Sequence, residues 1–138
     1  MLKKVLLALG ILGLFGAYYG YTEYNRKPAD LSALKADVEV TPLSIVDEFT
    51  TDEEKANAKY LNKTVAVAGK IINIEKDDKG LPTVYLGADD AMFNVSCEMD
   101  ANHAKDAVNL KVGEMVKLKG KCTGFGSDVV LIRSVVEK

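Results

Sequence analysis

Residues Leu110 to Gly124, LKVGEMVKLKGKCTG, read as a turn feeding a strand. Lys111-Val112-Gly113-Glu114 makes the turn. Beyond it, Val116, Leu118, Gly120 and Cys122 share one phase, and Lys117, Lys119 and Lys121 share the other. Strict period-two alternation marks a strand with one buried and one wet face. A glycine inside such a strand points to a bend, a bulge or a close backbone approach, as small closed barrels need at their corners.

Downstream, Gly124 to Asp128 is a turn. Val129 to Val136 is a final strand, so apolar that its facing stays open. Upstream, Thr64 to Glu75 is a long first strand. Val65, Val67, Gly69 and Ile71 hold one phase, Ile72 and Ile74 the other, and a switch just after Gly69 is what a β-bulge produces. Lys76 to Pro82 is a polar turn. Thr83 to Leu86 follows with Val84 and Leu86 inward and Tyr85 outward. A third strand, Met92 to Cys97, turns Phe93, Val95 and Cys97 inward. Asp100 is placed to cap a short helix over Ala101 to Val108.

Ahead of the strands, Asp37 to Val40 reads as a short extended piece. Thr41-Pro42 opens a helix, threonine as the cap and proline in the first turn. Leu43, Ile45, Val46 and Phe49 give it an apolar side. Thr51-Asp52-Glu53-Glu54 has the form of a capping box starting a second helix towards Tyr60. Three strands, a short helix and two strands predict a mainly β fold, the five-stranded OB-fold Greek-key barrel with flanking short helices. An immunoglobulin-like sandwich would want about seven strands.

The first 27 residues follow another logic. Val5 to Tyr21 is 17 residues without a charge, behind Lys3 and Lys4. As a helix it measures roughly 26 Å, near the hydrocarbon thickness of a bilayer. Tyr18, Tyr19, Tyr21 and Tyr24 gather at its far end, where amphipathic rings favour the headgroup zone. No small-x-small cleavage site follows: Leu14 stands in the way of one ending at Gly16, and Phe15 of one ending at Ala17. No cysteine is near to take a lipid. An uncleaved signal anchor is therefore expected, with a cleaved signal and a secreted domain as the alternative. Lys3 and Lys4 place the N-terminus in the cytoplasm and the domain outside it, against a weaker opposing pull from Arg26 and Lys27. Gly16 and Gly20 form a GxxxG, and Gly13 with Ala17 a second small pair, which offers a route to a homodimer through the transmembrane helix. The expected organisation is an anchor over 1–24, a linker over 25–40, and the OB-fold domain with its N-terminal helices over 41–138.

Charge separates function classes. The whole chain carries 18 basic and 20 acidic residues. Setting aside the first 27 removes four basic and one acidic residue, leaving 14 and 19, a net of -5. Nucleic-acid binders are usually basic, because phosphate contacts and counterion release supply much of their affinity. The acidic domain argues against nucleic acid.

Three stretches also resemble the bacterial tRNA-anti-like group of OB-fold proteins: ANAKYLNKTVAVAGKI (Ala56 to Ile71), FNVSCEM (Phe93 to Met99) and LKVGEMVKLKGKCTG. With the last strand, the resemblance spans roughly residues 40 to 136. It implies the barrel and a position behind a membrane segment or signal, with small ligands or envelope proteins as partners. It implies no catalytic residues, and fold does not fix function.

The candidate sites are few. OB barrels bind through their second and third strands and adjoining loops, which here present Tyr85, Asn94, Ser96 and Phe125. Two aromatics on an acidic domain make a thin stacking platform; otherwise Tyr85 is a half-buried strand residue and Phe125 plugs a barrel end. Cys97 and Cys122 share the inward phase. They form either a disulfide closing 24 residues, worth on the order of 3 kcal/mol, or two buried thiols. Lys117, Lys119 and Lys121 form a basic stripe that meets an anionic partner or simply lines a solvated outer face. His103, with Asp106 three residues on, is expected to be exposed and has no nucleophile or metal set beside it. Asp77-Asp78 and Asp89-Asp90 lack EF-hand spacing. No metal or cofactor is implied. The expected function is a non-catalytic, membrane-anchored binding module for an envelope protein or small ligand, with a single-stranded nucleic-acid binder as the runner-up.

Overall fold

The structure, a computed structural model, describes residues 1–137; Lys138, the last residue of the predicted domain, lies outside them. Helix α1, Leu2–Tyr24, buries none of its residues and is long and apolar enough to cross a membrane. The barrel begins with β1 (Val38–Val40), α2 (Pro42–Thr51), α3 (Glu53–Tyr60) and β2 (Thr64–Lys76). It continues with β3 (Pro82–Leu86), β4 (Val95–Met99), β5 (Met115–Phe125) and β6 (Val129–Val136).

Strand β2 closes the barrel because it is long enough to serve both sides. Its first half pairs antiparallel with β5, Thr64 against Lys121 through Lys70 against Met115. Its second half pairs with β3, Ile71 against Leu86 through Lys76 against Pro82. Strand β4 then runs antiparallel to β3 and parallel to β6, and β6 returns to β5. The five strands form a closed OB-fold barrel, and β1 lies parallel on the free edge of β2.

The core is a stack of cross-strand rows. One runs Ile74, Val84, Cys97, Leu131, Cys122; another runs Ile71, Leu86, Val95, Val129, Phe125. Most of these side chains are wholly buried, each aliphatic contributing about 1.5–3 kcal/mol of transfer free energy. Phe49 and Tyr60 bring α2 and α3 onto the barrel, and Phe49 stacks on Phe125 at 5.8 Å. This assigns the facing of the last strand: Val129 and Leu131 point inward before an irregularity at Arg133, whose φ is 50°.

Several local expectations shift. The β2 bulge falls between Ile71 and Asn73, beyond Gly69. Gly69 answers a different need, since a Cβ there would stand 2.4 Å from Pro42 Cγ. Thr51 ends α2 instead of capping α3. The cap is Asp52, whose carboxylate accepts from the Lys55 amide at 3.1 Å and also suits the positive helix end. The third barrel strand starts at Val95 rather than Met92, because the Asn94 amide is drawn to Asp128 Oδ1 at 2.7 Å. The helix expected over Ala101 to Val108 shrinks to a single 3-10 turn, Ala104–Ala107, because Asp100 spends its carboxylate on the Asn102 amide at 2.8 Å.

The larger correction concerns the linker and the lysine stripe. From Asp30 onward the connector is docked on the barrel. Leu31 is buried, the Asp30 carboxylate meets His103 Nε2 at 3.0 Å, and the Leu34 carbonyl accepts from Lys119 Nζ. Asp37 and Thr64 then exchange hydrogen bonds of 2.7 and 2.9 Å. Lys119 points outward as the alternation requires, yet it is only 5% exposed, because this strap covers it. Lys117 is paired with Glu39 at 2.8 Å. Two of the three lysines, Lys117 and Lys119, are thus engaged within the chain and do not form an open anion site.

Candidate ligand face

Two rows of side chains cross the outer surface of β2, β3 and β4. The first is Asn73, Tyr85, Ser96, continuing to Val130 on β6. The second is Glu75, Thr83, Glu98. Residues in register on one face of a sheet lie close enough to act together. Glu75 organises the surface. One of its oxygens accepts from Asn73 Nδ2 at 3.0 Å and the other from the Tyr85 hydroxyl at 3.1 Å. Partial burial, and then the Glu75 carboxylate, push the Tyr85 hydroxyl above the usual phenol range, so it stays a neutral donor.

The turn after β2 borders this surface. Asp77 Oδ1 accepts from the Lys79 and Leu81 amides at 2.9 and 2.7 Å, and Gly80 supplies the left-handed residue at φ 78°. The chemistry on offer is an aromatic ring, amide and hydroxyl groups, and two carboxylates from Glu75 and Glu98. That set suits hydrogen-bond donors and cations and repels phosphate.

Of the four residues expected on a ligand face, Tyr85 and Ser96 are brought together. Asn94 is not with them. Its Oδ1 accepts from the Ala88 amide at 3.3 Å and fills the space that a side chain at Gly87 would need. Phe125 packs in the barrel end, edge-on to Phe93 at 5.3 Å. Asn73 and Glu75 were missed. The only signal for them is the bulge, which turns them outward.

His103 is half-buried at 23%, not exposed, because the strap reaches it; Asp106 lies 3.6 Å from Nδ1. The Asp30 carboxylate raises its pKa. Cys97 and Cys122 are buried free thiols. They flank Leu131 from opposite neighbouring strands, so their backbones stand about two strand spacings apart, roughly 10 Å. That exceeds the span of a disulfide. Among the described residues no cluster of His, Cys, Asp or Glu could hold a metal ion.

The sequence model of the tRNA_anti-like family matches residues 1–136. No curated protein matches the chain. Among solved structures, a Klebsiella pneumoniae protein named "putative nucleic acid-binding lipoprotein" is 20% identical, with 81% of this chain and 100% of that one covered at a TM-score of 0.61. A Leishmania major chain named "putative aspartyl-tRNA synthetase" is 11% identical; the match covers 88% of this chain and 26% of that one, at a TM-score of 0.45. At 20% identity the likeness to the Klebsiella pneumoniae protein is one of fold.

Proposed function

Because the chain belongs to the tRNA_anti-like family, a binding role is the natural starting point, and we propose that it is a non-catalytic binding module held at the membrane outside the cytoplasm. Its partner is an envelope protein or small ligand bearing an amine or guanidinium group. The observation that carries this reading is the Tyr85 surface, where Glu75 and Glu98 flank Thr83 in one register row beside the partly buried Tyr85 ring. A cation placed there meets two carboxylates and a ring face. Helix α1, with Lys3 and Lys4 in its first turn, supports the anchor and its direction.

The second reading is a single-stranded nucleic-acid binder. It draws on the name of the Klebsiella pneumoniae neighbour. The carboxylates on the face and the net charge of -5 beyond residue 27 weigh against it.

The two readings separate in one experiment on the full chain in lipid nanodiscs. A labelled mixed-sequence single-stranded oligonucleotide and a labelled Arg-rich peptide are titrated at low and physiological salt. We expect peptide binding that Tyr85→Ala and Glu75→Gln each weaken by about ten-fold, and no oligonucleotide binding. Tight oligonucleotide binding that falls steeply with salt overturns the proposal in favour of the second reading.

A further inference from the structure

We propose that an apolar groove at one end of the barrel rests on the surface of the lipid bilayer, so that the domain lies against the membrane. The groove, about 340 Å³, is lined by Pro42, Leu43, Ala68, Gly69, Phe93 and Met115. A second depression adjoins it, sharing Leu43 and Phe93 and adding Val46 and Met92. Three side chains on the rim stand in water: Leu43 is 79% exposed, Met92 85% and Met115 73%. Scattered exposed apolar residues need no explanation, but a cluster around an apolar groove does. The adjacent cation, Lys70, is already paired with Asp89 at 2.9 Å.

The tether says what covers this surface. The inference rests on the reading of α1 as an uncleaved anchor. Helix α1 ends at Tyr24, and the chain is fixed to the barrel again at Asp30 by His103. Six Cα steps reach at most roughly 22 Å, while a domain of this size, with a radius of gyration of about 13 Å, is wider than that. The strap therefore keeps the domain at the membrane surface.

The groove also lies near the strap. Met115, Lys117 and Lys119 share the outward phase of β5, and Lys119 is held by Leu34. Four residues of strand, about 13 Å, separate Lys119 from Met115. Leucine and methionine side chains at such a rim suit the boundary between headgroups and acyl chains.

The chain has no tryptophan, so a single introduced one reports its own surroundings. Met115→Trp, Met92→Trp and Thr83→Trp are made in the full chain and reconstituted in vesicles of phosphatidylcholine and phosphatidylglycerol, with and without brominated acyl chains. The two methionine-site reporters are expected to be quenched by the brominated lipid by about two-fold or more, with blue-shifted emission. The Thr83→Trp reporter, on the outer face of β3, is expected to stay unquenched. Adding Leu43→Glu should reduce the quenching at both methionine sites.

Equal quenching at all three sites overturns the proposal, and so does none at Met115 and Met92. Blue-shifted emission that ignores bromine but grows with protein density overturns it in favour of a second copy in the groove. Release of the chain by an alkaline carbonate wash removes the anchor and this inference together. Retention without quenching removes this inference alone.

Discussion

Gly69 is required by its neighbour and not by its own backbone. A Cβ on it would meet the Pro42 ring at 2.4 and 2.8 Å, and that ring is rigid in the first turn of α2. Gly69→Ala is therefore expected to cost about 1–3 kcal/mol, read as a lower urea midpoint with an unchanged slope. An unmoved midpoint would mean that α2 shifts freely on the barrel. A glycine in an alternating strand is legible as a close approach or a bulge; which of the two is decided by a proline far off in sequence, and no local pattern shows it. The cysteines carry the same lesson. Their shared inward phase was readable, but Leu131 standing between them depends on the strand order around the barrel. Burial pushes the Cys97 thiol up to about 12 and raises Cys122 as well. Iodoacetamide is expected to leave both unlabelled in the native chain at pH 8 and to label both in denaturant. The oxidised form should be absent from the non-reducing mass spectrum. Fast native labelling, or a mass deficit reversed by reductant, contradicts this geometry.

At the scale of elements, the strap is what the sequence concealed. Residues 30–37 have no periodicity, and their partners are remote: His103 lies 73 positions from Asp30. Strands and helices declare themselves through local spacing, whereas a docked connector is defined by the surface it finds. Its ion pair makes the docking depend on pH. Hydrogen bonds from Ser32, side chain and then amide, followed by His103, lower the Asp30 carboxyl to about 2. His103 is raised, first by its hydrogen bond to Asp30 and then by the charges of Asp30, Asp100 and Asp106. The histidine contribution is complete below its unfolded pKa and fades as pH rises through the higher folded one. The aspartate contribution is complete above its unfolded pKa and fades as pH falls through about 2. Docking is thus tightest between about pH 4 and 6.5. Limited proteolysis within residues 25–37 should be slowest in that window and quicken above it. His103→Gln should abolish the alkaline rise, and a flat profile in the parent chain would rule out this linkage.

For the molecule as a whole, the strand count, the barrel class and the long apolar N-terminal helix were readable because they rest on period and length. The proposed orientation across the membrane rests on a thinner margin. Lys3, Lys4 and the terminal amine face Arg26 and Lys27 across the apolar segment, a surplus of one cation in favour of a cytoplasmic N-terminus. Protease added to bacterial cells with a permeabilised outer membrane should therefore digest the barrel and leave a membrane-bound fragment that begins at Met1 or Leu2. Lys3→Gln with Lys4→Gln reverses the balance to one cation against two, and the chain should then insert in both orientations, with part of the barrel population protected. Arg26→Gln with Lys27→Gln should leave the barrel wholly accessible. If the first pair of substitutions changed nothing, something other than flanking charge would have to set the orientation. If the parent fragment began near Tyr18, the helix would be a cleaved signal and the domain free of the membrane.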